Sequence, residues 1–319
     1  MSPAISIIIC AYTFERWHDV CDVLASLRKQ SLIPDEIILV IDHNEAMFAK
    51  AKANFLDVKV VENKAQKGLS GARNTGVAEA LGEIVVFIDD DAVAEPDWLE
   101  RLINIFDDNA VTVSGGSALP LWEETKPRWF PEEYYWVVGC SYEGMPKNIA
   151  EVRNVFGGNM AFRKDLLQKA GGFNTSLGRV NKIPIGGEET ELCMRLKELE
   201  PNARIMYEPG AVILHRVPQA RVNLTYFLKR CYAEGLSKAV ISGLRKNQKS
   251  LSTEWSYVLK VLPLSAVKHA ISLFKGDSYG PVRAILLGLG LASTTLGYLS
   301  AKLRLSFKQN KIRLLTELY

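Results

Sequence analysis

Three adjacent aspartates, Asp89, Asp90 and Asp91, are the most informative polar residues of the sequence. They directly follow the apolar run Ile84–Ile88, so they stand where a buried strand is expected to end. Adjacent carboxylates repel one another, and a bound cation would remove that cost. Carboxylate oxygens suit Mg²⁺ or Mn²⁺, and such ions usually share their coordination with the phosphates of a substrate. The alternative is a helix N-cap with a solvated turn, where Asp is also common.

Two more polar clusters lie nearer the N-terminus. Asp42 follows the apolar run Glu36–Ile41, where its carboxylate could accept hydrogen bonds from a base or a ribose. A basic loop that contains glycines, Lys67–Asn74, precedes a helical pattern. Its Arg73 and its backbone amides could hold a diphosphate, although the loop is not a Walker A sequence. A helix start with a solvated arginine is the alternative.

Acidic residues also follow a glycine pair at the head of a predicted helix that reaches Leu199. Glu188 and Glu189 could supply a general base that takes a proton from an acceptor hydroxyl. They could instead only complement the helix dipole in its first turn. His215 closes the apolar run AVILH and is either a metal ligand or a core or capping histidine.

The elements that must position these residues are predicted from the apolar pattern. Near-continuous Ile/Val runs between helical patterns indicate strands buried on both faces, hence a parallel sheet in an α/β, doubly wound domain of nucleotide-binding type. Ligands of such sheets bind beyond the carboxyl ends of the strands, where the polar clusters fall. The predicted strands are Ile5–Cys10, Glu36–Ile41, Val58–Val61, Ile84–Ile88, Ala203–Tyr207 and Val212–His215, and the predicted helices include Trp17–Gln30 and Ser70–Leu81.

The composition excludes several classes of protein. The 319 residues are 48% hydrophobic and 24% charged, which is ordinary for a globular protein and excludes disorder, collagen-like repeats and a coiled coil. The 5 cysteines are scattered without a CxxC pair, which argues against a disulfide framework or a structural zinc site and favours a reducing compartment. No basic segment precedes the first apolar run, so no signal peptide is predicted.

The charge is unevenly distributed along the chain. Residues 226–319 hold 15 Lys and Arg against 4 Asp and Glu, whereas the whole chain has a net charge of only +3. No nucleic-acid-binding motif accompanies this basic region, so nucleic acid is not predicted as a partner. The region is also strongly apolar, and an anionic membrane surface therefore suits it better.

Two segments of the basic region bear on membrane attachment. Ala284–Ala301 has 18 residues without a charge, the minimum for a membrane span. Trp255–Phe274 contains charged residues and a proline and is typical of an amphipathic helix lying in the interface. Monotopic attachment is predicted, and a hairpin, a single C-terminal span or a helical cap packed on the rest of the chain are the alternatives.

Together these motifs resemble the glycosyltransferases of family 2, which share the GT-A fold. The resemblance covers residues 4–216. Its motifs are Ile8–Thr13, Asp42, Gly71–Gly76, Phe87–Asp91, Gly157–Arg163, Gly171–Phe173, Gly187–Leu192 and His215. It implies a GT-A catalytic domain over 1–225, with a nucleotide-sugar half at about 1–115 and an acceptor half at about 116–225. The basic, apolar region 226–319 would be helical and membrane-associating.

The resemblance also implies roles for individual residues. Those on the donor side are Thr13 and Asp42 at the nucleoside, Arg73 at the diphosphate, Asp89 and Asp90 at the nucleotide sugar, and Asp89, Asp91 and His215 at Mg²⁺ or Mn²⁺. Those on the acceptor side are Trp136, Gly158 and Asn159. Glu189 matches the usual catalytic base, an Asp in most of the family, and Glu188 is its possible substitute. The implied reaction is an inverting, direct displacement.

A narrower likeness is to the glucosyl-dolichyl-phosphate glucuronosyltransferases. The stretches FIDDDAVAEPDWLE, FPEEYYWVVGCSYEGMP, EVRNVFGGNMAFR and FLKRCYAEGLSK carry it. It implies UDP-glucuronate as the UDP-sugar donor, a dolichyl- or polyprenyl-phosphate-linked saccharide as acceptor, and action on the cytoplasmic face of the membrane. The alternatives are another nucleotide sugar used for cell-surface polysaccharide, a sugar nucleotidyltransferase, and a non-catalytic carbohydrate-binding protein.

Overall fold

The computed structural model describes residues 3–177, 186–244 and 252–307. Within these ranges the chain forms a 9-stranded sheet flanked by helices. The strands are β1 (Ile5–Ala11), β2 (Glu36–Asp42), β3 (Lys59–Asn63), β4 (Ile84–Asp89), β5 (Ala92–Ala94), β6 (Val111–Trp122), β7 (Ala150–Glu151), β8 (Asn159–Arg163) and β9 (Arg204–Val217). The α-helices are α1 (Trp17–Leu27), α2 (Glu45–Asn54), α3 (Leu69–Glu79), α4 (Trp98–Asn104), α5 (Lys164–Lys169), α6 (Glu188–Leu199), α7 (Leu224–Leu244), α8 (Ser252–Ser256), α9 (Leu262–Ser272) and α10 (Gly280–Phe307).

The strands lie in the order β3-β2-β1-β4-β8-β6-β9-β5, and β7 pairs with β9. The pairs β3–β2, β2–β1 and β1–β4 are parallel, whereas β8 runs antiparallel to β4 and to β6. The predicted α/β fold is confirmed. The first four strands in chain order pair in parallel, and β5 and β7 each run antiparallel to β9.

The central strands are buried on both faces, as their apolar runs predict. Side chains alternate across a strand, so β1 places Ile7 and Ile9 in one hydrophobic layer and Ile8 in the other. The first layer includes Trp98 of α4, and the second includes Ala72 of α3. Each such side chain contributes roughly 1.5–3 kcal/mol by leaving water. Polar groups are therefore concentrated at the strand ends.

The structure corrects two sequence-based boundaries. The first helix ends at Leu27 rather than Gln30, because the backbone amides of Lys29 and Gln30 donate to the carbonyls three residues back, at 3.1 and 3.4 Å, and no longer to those four residues back. The two strands predicted at 203–207 and 212–215 are one strand, β9, which continues through Pro209 and Gly210. Pro209 and Gly210 interrupt the apolar sequence pattern, but the strand continues through them.

The chain divides into two compact units. The first comprises Met1–Leu119, Pro146–Lys182 and Gly187–His215, and the second comprises Pro120–Met145, Ile183–Gly186 and Arg216–Tyr319. The segment Pro120–Met145, which is rich in Trp, Tyr and Phe and is called the aromatic stretch below, thus groups with the basic C-terminal region. The functional boundary near residue 225 stays a prediction.

The second unit is built around α7, α10 and the aromatic stretch. Phe130, Tyr134 and Phe227 share its core, and the Tyr134 hydroxyl donates to the Leu287 carbonyl at 3.1 Å. Helices α7 and α10 approach closely at Gly235 and Gly297, where a Cβ would collide with the backbone of the facing helix.

Two helical stretches of this unit are long and apolar enough to cross a membrane. They are Glu254–Lys275 and Gly280–Arg304; an 18-residue window of the first has a mean hydropathy of 1.3 and is 11% buried, and one of the second has a mean hydropathy of 1.5 and is 28% buried. Large apolar side chains such as Phe274, Leu264 and Ile285 are exposed on them. This surface is consistent with membrane association.

The contribution of the Asn159 side chain to the stability of the sheet can be tested. Its fully buried amide donates to the carbonyls of Ser117 at 2.8 Å and Ala211 at 2.9 Å, and its Oδ1 accepts from the Trp98 indole at 2.8 Å. Asn159→Ala leaves these groups buried without partners, so we expect a loss of about 2–4 kcal/mol in unfolding free energy, measured by urea denaturation.

Asn104→Ala is the matched control. This exposed asparagine lies at the end of α4 and makes no capping hydrogen bond there. We expect its unfolding free energy to stay within about 0.5 kcal/mol of the wild-type value. Equal losses from both substitutions would contradict the role given to Asn159.

Candidate active site

The acidic triplet lies where β4 ends and β5 begins. Residue Ala92 of β5 pairs with His215 of β9, and this register places the imidazole beside Asp91. His215 Nδ1 lies 3.2 Å from Asp91 Oδ1. One ligand atom from each of Asp89, Asp91 and His215 falls within 4.8 Å of the others. The structure therefore brings together the three residues that the sequence analysis assigned to a metal.

An arginine from the segment after β1 compensates the negative charge of the triplet. Arg16 Nη1 donates to Asp90 Oδ1 at 2.5 Å, and its Nη2 lies 3.0 Å from Asp91 Oδ2. Burial and the neighbouring carboxylates nevertheless raise the pKa of Asp90 to about 7, against the opposing effect of Arg16. Oδ2 of Asp90 is buried without a hydrogen-bond partner.

Gly158 is the close neighbour of the first carboxylate. The pairing of β4 with β8 places Ile88 opposite Asn159, and the Asp89 amide donates to the Gly158 carbonyl at 3.4 Å. A Cβ at Gly158 would overlap the Asp89 carboxylate. Glycine is therefore required here for Asp89 to keep its position.

Arg73, on α3, is held by protein groups on several sides. Its Nη1 donates to Glu188 Oε1 at 3.0 Å, its Nη2 donates to the Gly157 carbonyl at 2.7 Å, and Nη2 lies 3.7 Å from Asp89 Oδ1. The guanidinium carbon lies 5.9 Å and 5.3 Å from the centres of two aromatic rings, those of Phe87 and Phe173. Its side chain is only 3% exposed.

The two glutamates open helix α6, as the sequence predicts. Gly187 precedes them with φ 100°, a left-handed conformation that favours glycine. Glu188 is buried against Arg73, whereas Glu189 is half-buried. Removal from water and the adjacent Glu188 carboxylate raise the pKa of Glu189 to about 7, while Arg73 and a hydrogen bond from Thr190 act in the opposite direction.

The predicted nucleoside contacts lie at the ends of the neighbouring strands. Asp42, at the end of β2, accepts from Asn63 Nδ2 at 2.6 Å and from the Gly68 amide at 2.9 Å. Thr13 follows β1 and accepts from the Glu15 amide at 3.3 Å. The backbone of His43 has a left-handed φ of 50°, which is rare for a residue other than glycine. The contacts of Thr13 and Asp42 with a nucleoside stay predictions.

The three predicted acceptor residues have different local surroundings. Trp136 belongs to the second unit, where it is half-buried and its ring centre lies 5.4 Å from that of Tyr134. Gly158 adjoins the acidic triplet, and the buried Asn159 side chain links strands. Contact of these three residues with an acceptor stays a prediction.

Sequence reasoning missed Arg16 and the aromatic rings around Arg73. Arg16 stands 73 residues ahead of Asp89 in the chain and carries no motif of its own. Its only signal was its place just beyond the carboxyl end of a predicted strand, where ligand-binding groups gather in such sheets.

Comparison with known proteins identifies the class. Residues 6–171 match the family model described as glycosyl transferase family 2. A glucosyl-dolichyl phosphate glucuronosyltransferase from Haloferax volcanii is 34% identical over 241 residues, which span 74% of this chain and 77% of the relative. The chain belongs to glycosyl transferase family 2 and is a glycosyltransferase.

Two further comparisons extend this result. The succinoglycan biosynthesis protein ExoM from Rhizobium meliloti is 24% identical over 80% of each chain. A solved mannosyltransferase from Pyrobaculum calidifontis, in complex with GDP-Man and Mn²⁺, superposes with a TM-score of 0.58 at 18% identity, covering 92% of this chain and 87% of that one. This likeness shows the shared GT-A fold.

The residues of the acidic edge suit a divalent cation. Two carboxylates and one imidazole converge within 4.8 Å, a donor set that Mn²⁺ accepts readily and that Mg²⁺ accepts through its carboxylates. Arg16 pairs with Oδ1 of Asp90, and Oδ2 of the same carboxylate is buried without a hydrogen-bond partner. The site thus retains negative charge that a cation would neutralise.

Substitution of Gly158 tests this site. A Cβ from Gly158→Ala forces the Asp89 carboxylate to move, so we expect Mn²⁺ affinity to fall about 10–100-fold, as when the groups orienting a metal ligand are removed. Titration calorimetry with Mn²⁺ on the purified protein measures this loss.

Gly243→Ala serves as the control, because nothing lies within 4 Å of a Cβ at that position of α7. Its Mn²⁺ affinity should match that of the wild type. Unaltered Mn²⁺ affinity in a folded Gly158→Ala protein would rule out Asp89 as a ligand.

Proposed function

We propose that this glycosyltransferase is inverting and metal-dependent, and that it moves a sugar from a nucleotide donor to a lipid-linked saccharide. The observation that carries the proposal is the convergence of Asp89, Asp91 and His215 at the sheet edge, with Glu189 linked to it through Arg73 and Glu188. One part of this edge suits a phosphate-bound cation and the other suits proton removal. Stabilisation of the leaving group and activation of the nucleophile are what direct displacement at an anomeric carbon requires.

On the donor side, Thr13 and Asp42 would contact the nucleoside at the ends of β1 and β2. Asp89, Asp91 and His215 would hold Mg²⁺ or Mn²⁺, and Asp90 would lie by the nucleotide sugar. A bound divalent cation supplies charge neutralisation for the diphosphate leaving group. Arg16 keeps Asp90 and Asp91 in place by pairing with both carboxylates.

On the acceptor side, Glu189 would remove the proton of the attacking hydroxyl. A carboxylate with a pKa of about 7 is a stronger base than an ordinary glutamate and is still partly ionised near neutral pH. The oxygen of the acceptor would then attack the anomeric carbon from the side opposite the leaving UDP. The configuration at that carbon inverts, and no glycosyl-enzyme intermediate forms.

The best-supported substrates are UDP-glucuronate and a dolichyl- or polyprenyl-phosphate-linked glycan. The support is the Haloferax relative, whose name specifies glucuronosyl transfer to glucosyl-dolichyl phosphate. The exposed apolar residues of α9 and α10 would keep the enzyme at the cytoplasmic face of the membrane, where such an acceptor resides. Either a peripheral, monotopic attachment or one C-terminal anchor would serve.

A second candidate is transfer from another nucleotide sugar in cell-surface polysaccharide synthesis. ExoM, named for succinoglycan biosynthesis, matches over 80% of this chain and supports it. Mass spectrometry separates the candidates: the protein is given Mn²⁺, glucosyl polyprenyl phosphate and a panel of UDP- and GDP-sugars. A hexuronate added only from UDP-glucuronate supports the first, and another added sugar supports the second.

Removal of the base gives a sharper prediction. Glu189→Gln keeps the shape of the side chain but not its basicity, so we expect transfer to fall roughly 10²–10⁴-fold while calorimetric UDP affinity is retained. Glu198→Gln, an exposed position of the same helix, should transfer normally. Turnover by Glu189→Gln at the wild-type rate would refute the assignment.

The pKa of Glu189 also predicts the pH dependence. The base acts only when deprotonated, so transfer should be maximal above pH 7 and fall about tenfold per unit as the pH drops below its pKa of about 7. Initial rates from pH 5 to 9 at a saturating concentration of the metal measure this decrease of the transfer rate. A rate that stays flat down to pH 5, near the ordinary pKa of a glutamate, would contradict the raised value.

A further inference from the structure

Arg73 lies between the two halves of the proposed active site. One guanidinium nitrogen is 3.0 Å from Glu188 Oε1, and the other is 2.7 Å from the Gly157 carbonyl and 3.7 Å from Asp89 Oδ1. The guanidinium therefore reaches from the first acid of the triplet to the first acid of α6. The sequence pattern pointed to a different partner for it, a diphosphate.

The surroundings of Arg73 disfavour direct contact with a diphosphate. Its side chain is 3% exposed, and both terminal nitrogens already donate to protein oxygens. The rings of Phe87 and Phe173 pack against the guanidinium, which they hold in place. Breaking the pair with Glu188 to free this nitrogen for a phosphate would leave that carboxylate buried and uncompensated.

We propose that Arg73 is a positioning residue, which fixes and neutralises Glu188 and thereby leaves Glu189 as the one carboxylate of the pair that is available to an acceptor hydroxyl. This inference rests on the proposed function. It replaces the expected phosphate contact of Arg73 with a role in selecting the base.

The two glutamates differ as this role requires. Glu188 is 5% exposed, one of its oxygens accepts from Arg73, and the other is buried without a hydrogen-bond partner. An acceptor cannot reach it. Glu189 is half-buried, and its Oε1 accepts from the Thr190 hydroxyl at 3.1 Å. Its Oε2 lies on the same side of Gly157 as the Arg73 guanidinium, since a Cβ there would be 3.5 Å from each.

The charges around Glu189 determine in which direction each substitution should shift its pKa. The negative Glu188 raises the pKa of Glu189, and the positive Arg73 lowers it. Arg73→Met removes the cation, so the pKa of Glu189 should rise. Glu188→Gln removes the anion, so the pKa should fall. These shifts test the coupling among the three side chains, and UDP affinity tests whether Arg73 contacts a phosphate.

The first measurement is UDP affinity by calorimetry with Mn²⁺ present, for wild type, Arg73→Met and Arg73→Lys. A positioning role predicts dissociation constants within about threefold of wild type, since no charged hydrogen bond to UDP is lost. A loss of about tenfold or more in both variants, the cost of losing such a bond, would overturn the proposal. Arg28→Met, which breaks the exposed pair with Asp57, is the control.

The second measurement is the pKa of Glu189 itself, from carboxyl ¹³C shifts of glutamate-labelled protein, with Glu189→Gln identifying the signal. We expect a higher pKa in Arg73→Met and a lower one in Glu188→Gln. Unmoved or same-direction shifts would overturn the proposal. If Arg73→Met does not fold, Arg73→Lys still carries the test through its UDP affinity, and a loss of about tenfold or more in that folded variant would overturn the proposal.

These readouts separate this inference from the proposed function. Neither UDP affinity nor the carboxyl pKa requires an acceptor or turnover. A wild-type protein that binds UDP but transfers no sugar from any donor would overturn the proposed function and leave the Arg73 result standing. An active wild type whose Arg73 variants lose UDP affinity would do the reverse.

Discussion

Charge compensation at the carboxyl edge of the sheet is the constraint on which this site depends. Carboxylates end β4 and begin α6, where they would repel one another in a region of low exposure. Two guanidinium groups hold them: Arg16 pairs with Asp90 and Asp91, and Arg73 pairs with Glu188. Arginine suits both positions because its planar fork can serve more than one oxygen and keeps its charge when buried.

The sheet register turns this compensated edge into a site. The antiparallel strands bring residues from further along the sequence to the first carboxylates. β8 sets the backbone of Gly158 against Asp89, and β9 sets His215 against Asp91. Because the central strands are apolar on both faces, these strand ends are where polar chemistry can be placed. The α/β fold thus places at one end of its strands the residues to which the proposed function assigns the donor diphosphate and its cation.

Much of the fold followed from the sequence, because buried parallel strands have a simple pattern. The Ile/Val runs at β1 and β4 and the glycine-led start of α6 were read correctly. The continuity of β9 was not, because Pro209 and Gly210 interrupt its apolar pattern without ending its pairing. The acidic triplet could be predicted as a cluster, but its compensation by Arg16 depends on a long-range contact that no local pattern encodes. For Arg73 the sequence did not predict the ion pair with Glu188, and its predicted contact with a diphosphate stays a prediction.

The central claim is that Asp89, Asp91 and His215, at the carboxyl edge of the sheet, hold the cation of a nucleotide-sugar donor. Anomalous diffraction from crystals soaked with Mn²⁺ and UDP tests it most directly, since it locates the ion without relying on turnover. The account predicts a manganese peak coordinated by Asp89, Asp91 and His215, with the UDP diphosphate on the same ion and Arg73 still paired with Glu188. A peak elsewhere, or UDP bound with its phosphates on Arg73, would contradict it.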